Sequence, residues 1–161
     1  MKKALLLALL FAVAAWLAWQ DVQAGQRQAK PWMNPVVTRD ELRAMDWVSN
    51  NTAPRTVFAT DIFGGEFLMG NTLREATEGG DWAIIPNVVE RMAAFQYDFY
   101  EAKTAEKAHA TAKSYGAEYA WAPNRQVFAG YAWAPVDRSI FAEPYFTKVY
   151  DDGVAIYKVN P

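Results

Sequence analysis

Thr104-Ala105-Glu106-Lys107-Ala108-His109-Ala110-Thr111-Ala112-Lys113-Ser114-Tyr115-Gly116-Ala117-Glu118-Tyr119-Ala120-Trp121-Ala122-Pro123 carries the clearest change of hydrophobic period in the chain. Thr104 is a good N-cap, because a hydroxyl there can accept from an amide of the first helical turn. Ala105, Ala108, Ala112 and Tyr115 then recur at helical spacing, and Gly116 is a C-terminal stop. Glu118–Ala122 follows as a short, mostly apolar run ended by Pro123. Such runs are typical of strands covered on both faces of a sheet. A helix that delivers the chain into a doubly covered strand is the repeating step of an α/β fold.

The same alternation extends outward from this passage. Thr38-Arg39-Asp40-Glu41 is a capping box: the Thr38 hydroxyl can accept from the Glu41 amide while the Glu41 carboxylate reaches back. Leu42, Met45 and Val48, with Ala44 and Trp47, form the apolar stripe of the helix it starts, and Asn50, Asn51 and Pro54 end it. Thr56–Thr60 reads as a first buried strand, closed by Asp61, and Gly64-Gly65 open a short segment through Met69. Trp82-Ala83-Ile84-Ile85 reads as a second strand, stopped by Pro86. Val88, Met92, Phe95 and Phe99 mark an amphipathic helix of about four turns. Residues 124–142 are aromatic with weak periodicity. Phe146–Tyr150 and Val154–Val159 flank Asp151-Asp152-Gly153, a turn rich in residues that tolerate positive φ, and read as a hairpin. The expected fold over 36–161 is a small three-layer, Rossmann-like α/β domain with a mostly parallel sheet and a C-terminal β-hairpin.

The first 24 residues are a separate object. Lys2 and Lys3 precede an uncharged run from Ala4 to Trp19. A membrane anchor needs about 20 mostly apolar residues, which extension to Val22 nearly supplies, with Trp16 and Trp19 at the outer interface. A secretory signal needs a basic start, a shorter apolar core and a small-x-small site, and Val22-Gln23-Ala24 provides one. Either way Lys2 and Lys3 stay cytoplasmic and the remainder is extracytoplasmic; cleavage would make it secreted or periplasmic. Gln26–Pro35 reads as a linker over 25–35, because Pro31 and Pro35 disfavour helix in the residues before them. Trp32 in this linker suits a lipid headgroup surface.

Composition removes several chemistries. The chain of 161 residues has no cysteine and a single histidine, His109. Thiol catalysis, disulfides and a His-rich or thiolate metal centre are therefore excluded. Neither metal nor cofactor is expected. A net charge of −2 gives no electrostatic footprint for nucleic acid. There is no G-x-S-x-G elbow or other nucleophile arrangement, which disfavours a small hydrolase.

Thr38–Leu42 with Asp46-Trp47-Val48 and Asn51-Thr52-Ala53-Pro54, Thr56–Asp61 with Gly64-Gly65, Ala112–Ala120 and the closing hairpin together follow an order that resembles a known family. It is similar to the C-terminal soluble region of multi-spanning, lipid-sugar-dependent glycosyltransferases of the GT-C superfamily. The resemblance spans most of 36–159 plus one preceding apolar segment. It implies an α/β tail module on the extracytoplasmic face of a membrane. In that family the catalytic acid lies in an early loop between membrane helices; no position here corresponds, so no catalytic residue is carried over. The implied partner is a multi-spanning glycosyltransferase subunit or a glycan-lipid.

Two places are candidate ligand sites. Asp61 with Gly64 and Gly65 lies where open parallel sheets bind ligands, outside the carboxyl ends of strands. Its exposed amides would suit a hydroxylated headgroup or a cation; the alternative is that Asp61 merely caps the next helix. Trp121, Tyr131, Trp133, Phe141 and Tyr145 surround Asn124, Arg125, Asp137 and Arg138, a mix that suits sugars or an interface; the alternative is ordinary packing. His109 reads as solvated. The sequence thus leads to a non-catalytic, membrane-anchored extracytoplasmic domain that binds a membrane partner or glycan-lipid headgroup. A signal-cleaved carbohydrate- or solute-binding module is the alternative.

Overall fold

A computed structural model describes residues 2–33, 36–80, 84–129 and 132–161. The chain divides into two compact units, Met1–Val36 and Val37–Pro161.

The first unit is one helix, α1 (Lys2–Met33). Its stretch Leu7–Lys30 is long and apolar enough to cross a membrane. Leu10, Phe11, Trp16 and Trp19 are all exposed. The linker expected over 25–35 is helical as far as Met33. Helical backbone thus runs through Pro31 at the loss of one intrahelical donor. The Trp32 side chain lies outside what is described.

The second unit is a three-layer α/β domain. Its elements are α2 (Arg39–Asn51), β1 (Val57–Ala59), α3 (Ile62–Thr72), β2 (Glu75–Ala76), α4 (Val88–Phe95) with a π-helical turn (Gln96–Tyr100), α5 (Ala105–Ser114), β3 (Tyr119–Ala122), β4 (Val127–Ala129), β5 (Ala132–Ala134), a 3-10 turn (Arg138–Ile140), β6 (Phe146–Asp152) and β7 (Val154–Val159). The main sheet has the order β2-β1-β3-β7-β6. β2, β1 and β3 run parallel, and the β6–β7 hairpin adds antiparallel to β3.

The central strands β1, β3 and β7 alternate between two buried faces, while β6 at the sheet edge buries only Phe146. Phe58, Trp121, Val154 and Ile156 pack under Ala44, Met45 and Val48 of α2 and Leu68 of α3. Ala59, Ala120, Ala122, Ala155 and Tyr157 face Phe95, Phe99, Tyr100, Ala108 and Ala112 on the other side. The alanines on this second face let the aromatic helix pack close to the sheet, while large side chains fill the first.

Both expected caps form. Thr38 and Glu41 make the full capping box, and Thr104 accepts from the Lys107 amide at 3.2 Å. Gly116, at φ 72°, ends α5. Tyr115, expected to point inward, is 36% exposed and sets its ring edge against Phe95.

Three expectations differ. Trp82 and Ala83 lie outside the described residues, while Ile84 and Ile85 sit in a turn, with Ile84 76% exposed. The edge position beside β1 is taken by Glu75–Ala76. Gly79 and Gly80, at φ 144° and 94°, turn the chain away just after it. The four-turn helix from Val88 becomes π-helical at Gln96, so Phe99 and Tyr100 both face inward. The irregular 124–142 segment contains a small second sheet, β4–β5, which packs Phe128 and Trp133 on Ile62, Phe63 and Met92.

Candidate functional site

β1 and β3 are neighbours in the parallel sheet, and the chain leaves them in different directions. β1 feeds α3 toward β2 on one side; β3 is entered from α5 on the other. The crevice outside their carboxyl ends is where such sheets bind ligands. Asp61 follows β1 and Arg125 follows β3, so the fold brings these two candidate residues together there.

The crevice is filled by the protein's own side chains. Arg125 Nη1 and Nη2 donate to Asp61 Oδ2 and Oδ1 at 2.8 and 2.9 Å. Its Nε donates to both Glu41 oxygens at 3.2 and 3.1 Å, and Nη2 also reaches Glu41 Oε1 at 2.9 Å. The last Nη1 hydrogen goes to the Gln126 carbonyl at 3.0 Å. All five guanidinium donors are therefore engaged within the protein. Glu41 also accepts from the Thr38 amide at 2.8 Å and from the Trp121 indole at 3.4 Å.

The triad is nearly dry. Side-chain exposure is 9% for Arg125, 0% for Glu41 and 2% for Asp61. Burial works to lower the Arg125 pKa, but the charges and hydrogen bonds of Asp61 and then Glu41 outweigh it and hold the guanidinium above its ordinary value. Beneath the triad, the Tyr100 hydroxyl donates to the Trp121 carbonyl at 2.7 Å. Burial first, and the Asp61 charge second, push that phenol well above its ordinary value.

The two glycines serve this packing. A Cβ on Gly64 would lie 2.8 Å from Asp61 Oδ1 and 3.4 Å from Arg125 Nη2. A Cβ on Gly65 would lie 1.8 Å from the Glu78 carbonyl oxygen. The amides expected to be open to a headgroup are engaged: Gly64 N donates to Asp61 Oδ1 at 3.3 Å and Gly65 N to the Asp61 carbonyl at 2.8 Å. Asp61 is thus the cap of α3 and a ligand of Arg125 at once.

The expected aromatic platform is dispersed. Trp121 is fully buried and Phe141 lies in the core. Trp133 stacks with Phe63 at 5.9 Å, away from Trp121's cluster. Tyr131 lies outside the described residues. Asn124 is exposed, on the rim of an open cleft of about 400 Å³ lined also by Gln126, Pro135 and Arg138. Asp137 caps the 3-10 turn through the Ser139 amide, and Arg138 holds the Gly153 carbonyl at 2.5 Å. His109, expected to be solvated, is half-buried: Nε2 bonds the Asn160 carbonyl at 2.8 Å and the ring lies against Tyr145 and Phe146. Asp151 and Asp152 pair with Lys148 and Arg43 at the surface. Among the described residues, no three acidic or histidine side chains group as metal ligands.

Two buried charges escaped the sequence reading. Arg74 is 8% exposed and donates to the Ser49, Thr52 and Thr72 carbonyls, binding the C-termini of α2 and α3 together. Glu78 is 6% exposed, with Oε1 unpartnered. Neither lies in a motif; only the fold makes them buried.

No family model matches the sequence, and none of the curated proteins compared with it matches either.

Proposed function

We propose that this chain is a non-catalytic extracytoplasmic domain held on the membrane by α1, with a membrane-embedded protein or a glycan-lipid headgroup as its partner. The observation behind this reading is the occupied crevice. The place where a parallel sheet would present a polar site holds Arg125, Glu41 and Asp61, whose hydrogen bonds are directed at one another. A group saturated in this way has no free donor or lone proton to offer a substrate. The resemblance to the soluble tail of membrane glycosyltransferases points the same way, because in that architecture the chemistry lies in the membrane body. Among the described residues, one exposed apolar stretch, Leu7–Lys30, has the length of an anchor.

The test is the intact mass of the protein recovered from washed membranes. The proposal expects residues 1–24 to be present. Loss of those residues, with the remainder in the soluble extracytoplasmic fraction, would replace it with the second reading, a secreted binding module. One observation favours that second reading: the open cleft of about 400 Å³ beside Asn124 and Gln126 presents two amides that a sugar hydroxyl can engage. Asn124→Ala should then weaken binding to immobilised glycans without lowering stability, since Asn124 is exposed.

A further inference from the structure

Two residues past the shortest strand of the sheet, the fold buries one carboxyl oxygen, Glu78 Oε1, without a donor. β2 is two residues long and lies at the sheet edge. Glu75 N donates to the Thr56 carbonyl at 3.0 Å and Thr77 N to the Phe58 carbonyl at 2.9 Å. Thr60 then donates its amide to Thr77 Oγ1 at 3.1 Å and its hydroxyl to the Glu78 carbonyl at 3.4 Å. Beyond these contacts comes Glu78, nine-tenths buried, with Oε1 facing no hydrogen-bond donor.

Among the described residues, the surroundings of Glu78 do little to compensate a negative charge. Just past β1 lies Thr60, which is neutral. α3 brings its backbone at Gly65 and Glu66 against the 78–79 turn, and Glu66 is itself acidic. α4 supplies Arg91, an exposed cation that acts through space. Tyr115, at the end of α5, feels the Glu78 charge and contributes none of its own below alkaline pH. With Oε1 held from water and given no donor, the charged form is penalised more than the neutral acid.

We propose that Glu78 is a proton-operated latch on the β2 edge: β2 stays docked on β1 while Glu78 carries its proton, and loss of the proton releases β2 so that the carboxylate reaches water. Burial, only partly opposed by Arg91, pushes the Glu78 carboxyl up to about 7, which puts the transition near neutral pH. Short edge elements with few hydrogen bonds open at low cost, so the charge need not unfold the domain. Gly79 and Gly80, both at positive φ, follow at once and can take up the swing.

The test is amide hydrogen exchange of the full chain in detergent micelles at about pH 6 and about pH 8, expressed as protection factors. Protection of Glu75 and Thr77 should fall about tenfold between the two, the ratio set by a closed-state carboxyl near 7 and an open-state one near its ordinary value. Val159, whose amide donates to Glu118 at 2.8 Å across the sheet, should keep its protection. Glu78→Gln should remove the pH dependence. An unchanged ratio in the wild type, or a fall that persists in Glu78→Gln, overturns the latch. If that variant fails to fold, the wild-type carboxyl is followed by carbon NMR. Titration near 7 sustains the proposal, and titration below about 5 overturns it.

Discussion

Arg125 engages two carboxylates, and each of them has a second duty: Glu41 closes the capping box of α2 and Asp61 caps α3. Removing the guanidinium therefore leaves two buried negative charges facing each other. Arg125→Met should cost about 3–5 kcal/mol, read by denaturant unfolding, because an uncompensated buried charge is worse than none. Arg125→Lys should fall between, since an ammonium cannot span both carboxylates bidentately. Glu78 makes the opposite kind of prediction. Its folded-state carboxyl keeps the proton to about 7, above the ordinary 4.5. Its contribution to stability is therefore whole below about 4.5 and is lost as pH rises through 7. Glu78→Gln should accordingly raise the melting temperature at about pH 8 and leave it nearly unchanged at about pH 4. The capping box was legible in the sequence because Thr38 and Glu41 are three residues apart. The Glu41–Arg125 pair, 84 residues apart, was not. Asp61 and Arg125 each stand out in the sequence on different grounds, and only the parallel register of β1 and β3 joins them.

The elements around the triad depend on close approach. The first turn of α3 carries two glycines because Asp61 and Arg125 lie over one and the Glu78 carbonyl lies over the other. Gly65→Ala should push α3 off β2 and cost about 3 kcal/mol or more, since the clash is with backbone. Gly70→Ala, in the same helix with nothing within 4 Å, should instead stabilise by about 0.5–1 kcal/mol. The two variants, compared by thermal unfolding, separate glycine as spacer from glycine as incidental helix residue. Arg74→Met should loosen α2 and α3 together, at about 2–3 kcal/mol, by leaving the Ser49, Thr52 and Thr72 carbonyls without their charged donor. Helices α2, α4 and α5 and strands β1 and β3 follow from apolar period and caps. β2 does not, because two polar-flanked residues carry no period; it exists because β1 has a free edge. The β4–β5 hairpin is hidden for a related reason: three-residue strands in an aromatic segment alternate too briefly to be told from a loop.

At the scale of the molecule, the chain joins one exposed apolar helix to a domain whose core clusters draw on residues from Ala44 onward. A chain of residues 37–161 should therefore fold with the unfolding midpoint of the full protein, and circular dichroism on both would check it. The absence of cysteine gives the membrane account a clean probe, because any thiol introduced is the only one present. Lys113→Cys places that thiol on the exposed end of α5. In intact cells a membrane-impermeant maleimide should label this variant in the membrane fraction, on protein that retains residues 1–24. Labelling that requires lysis, or labelled protein found only in soluble form without those residues, would contradict the account.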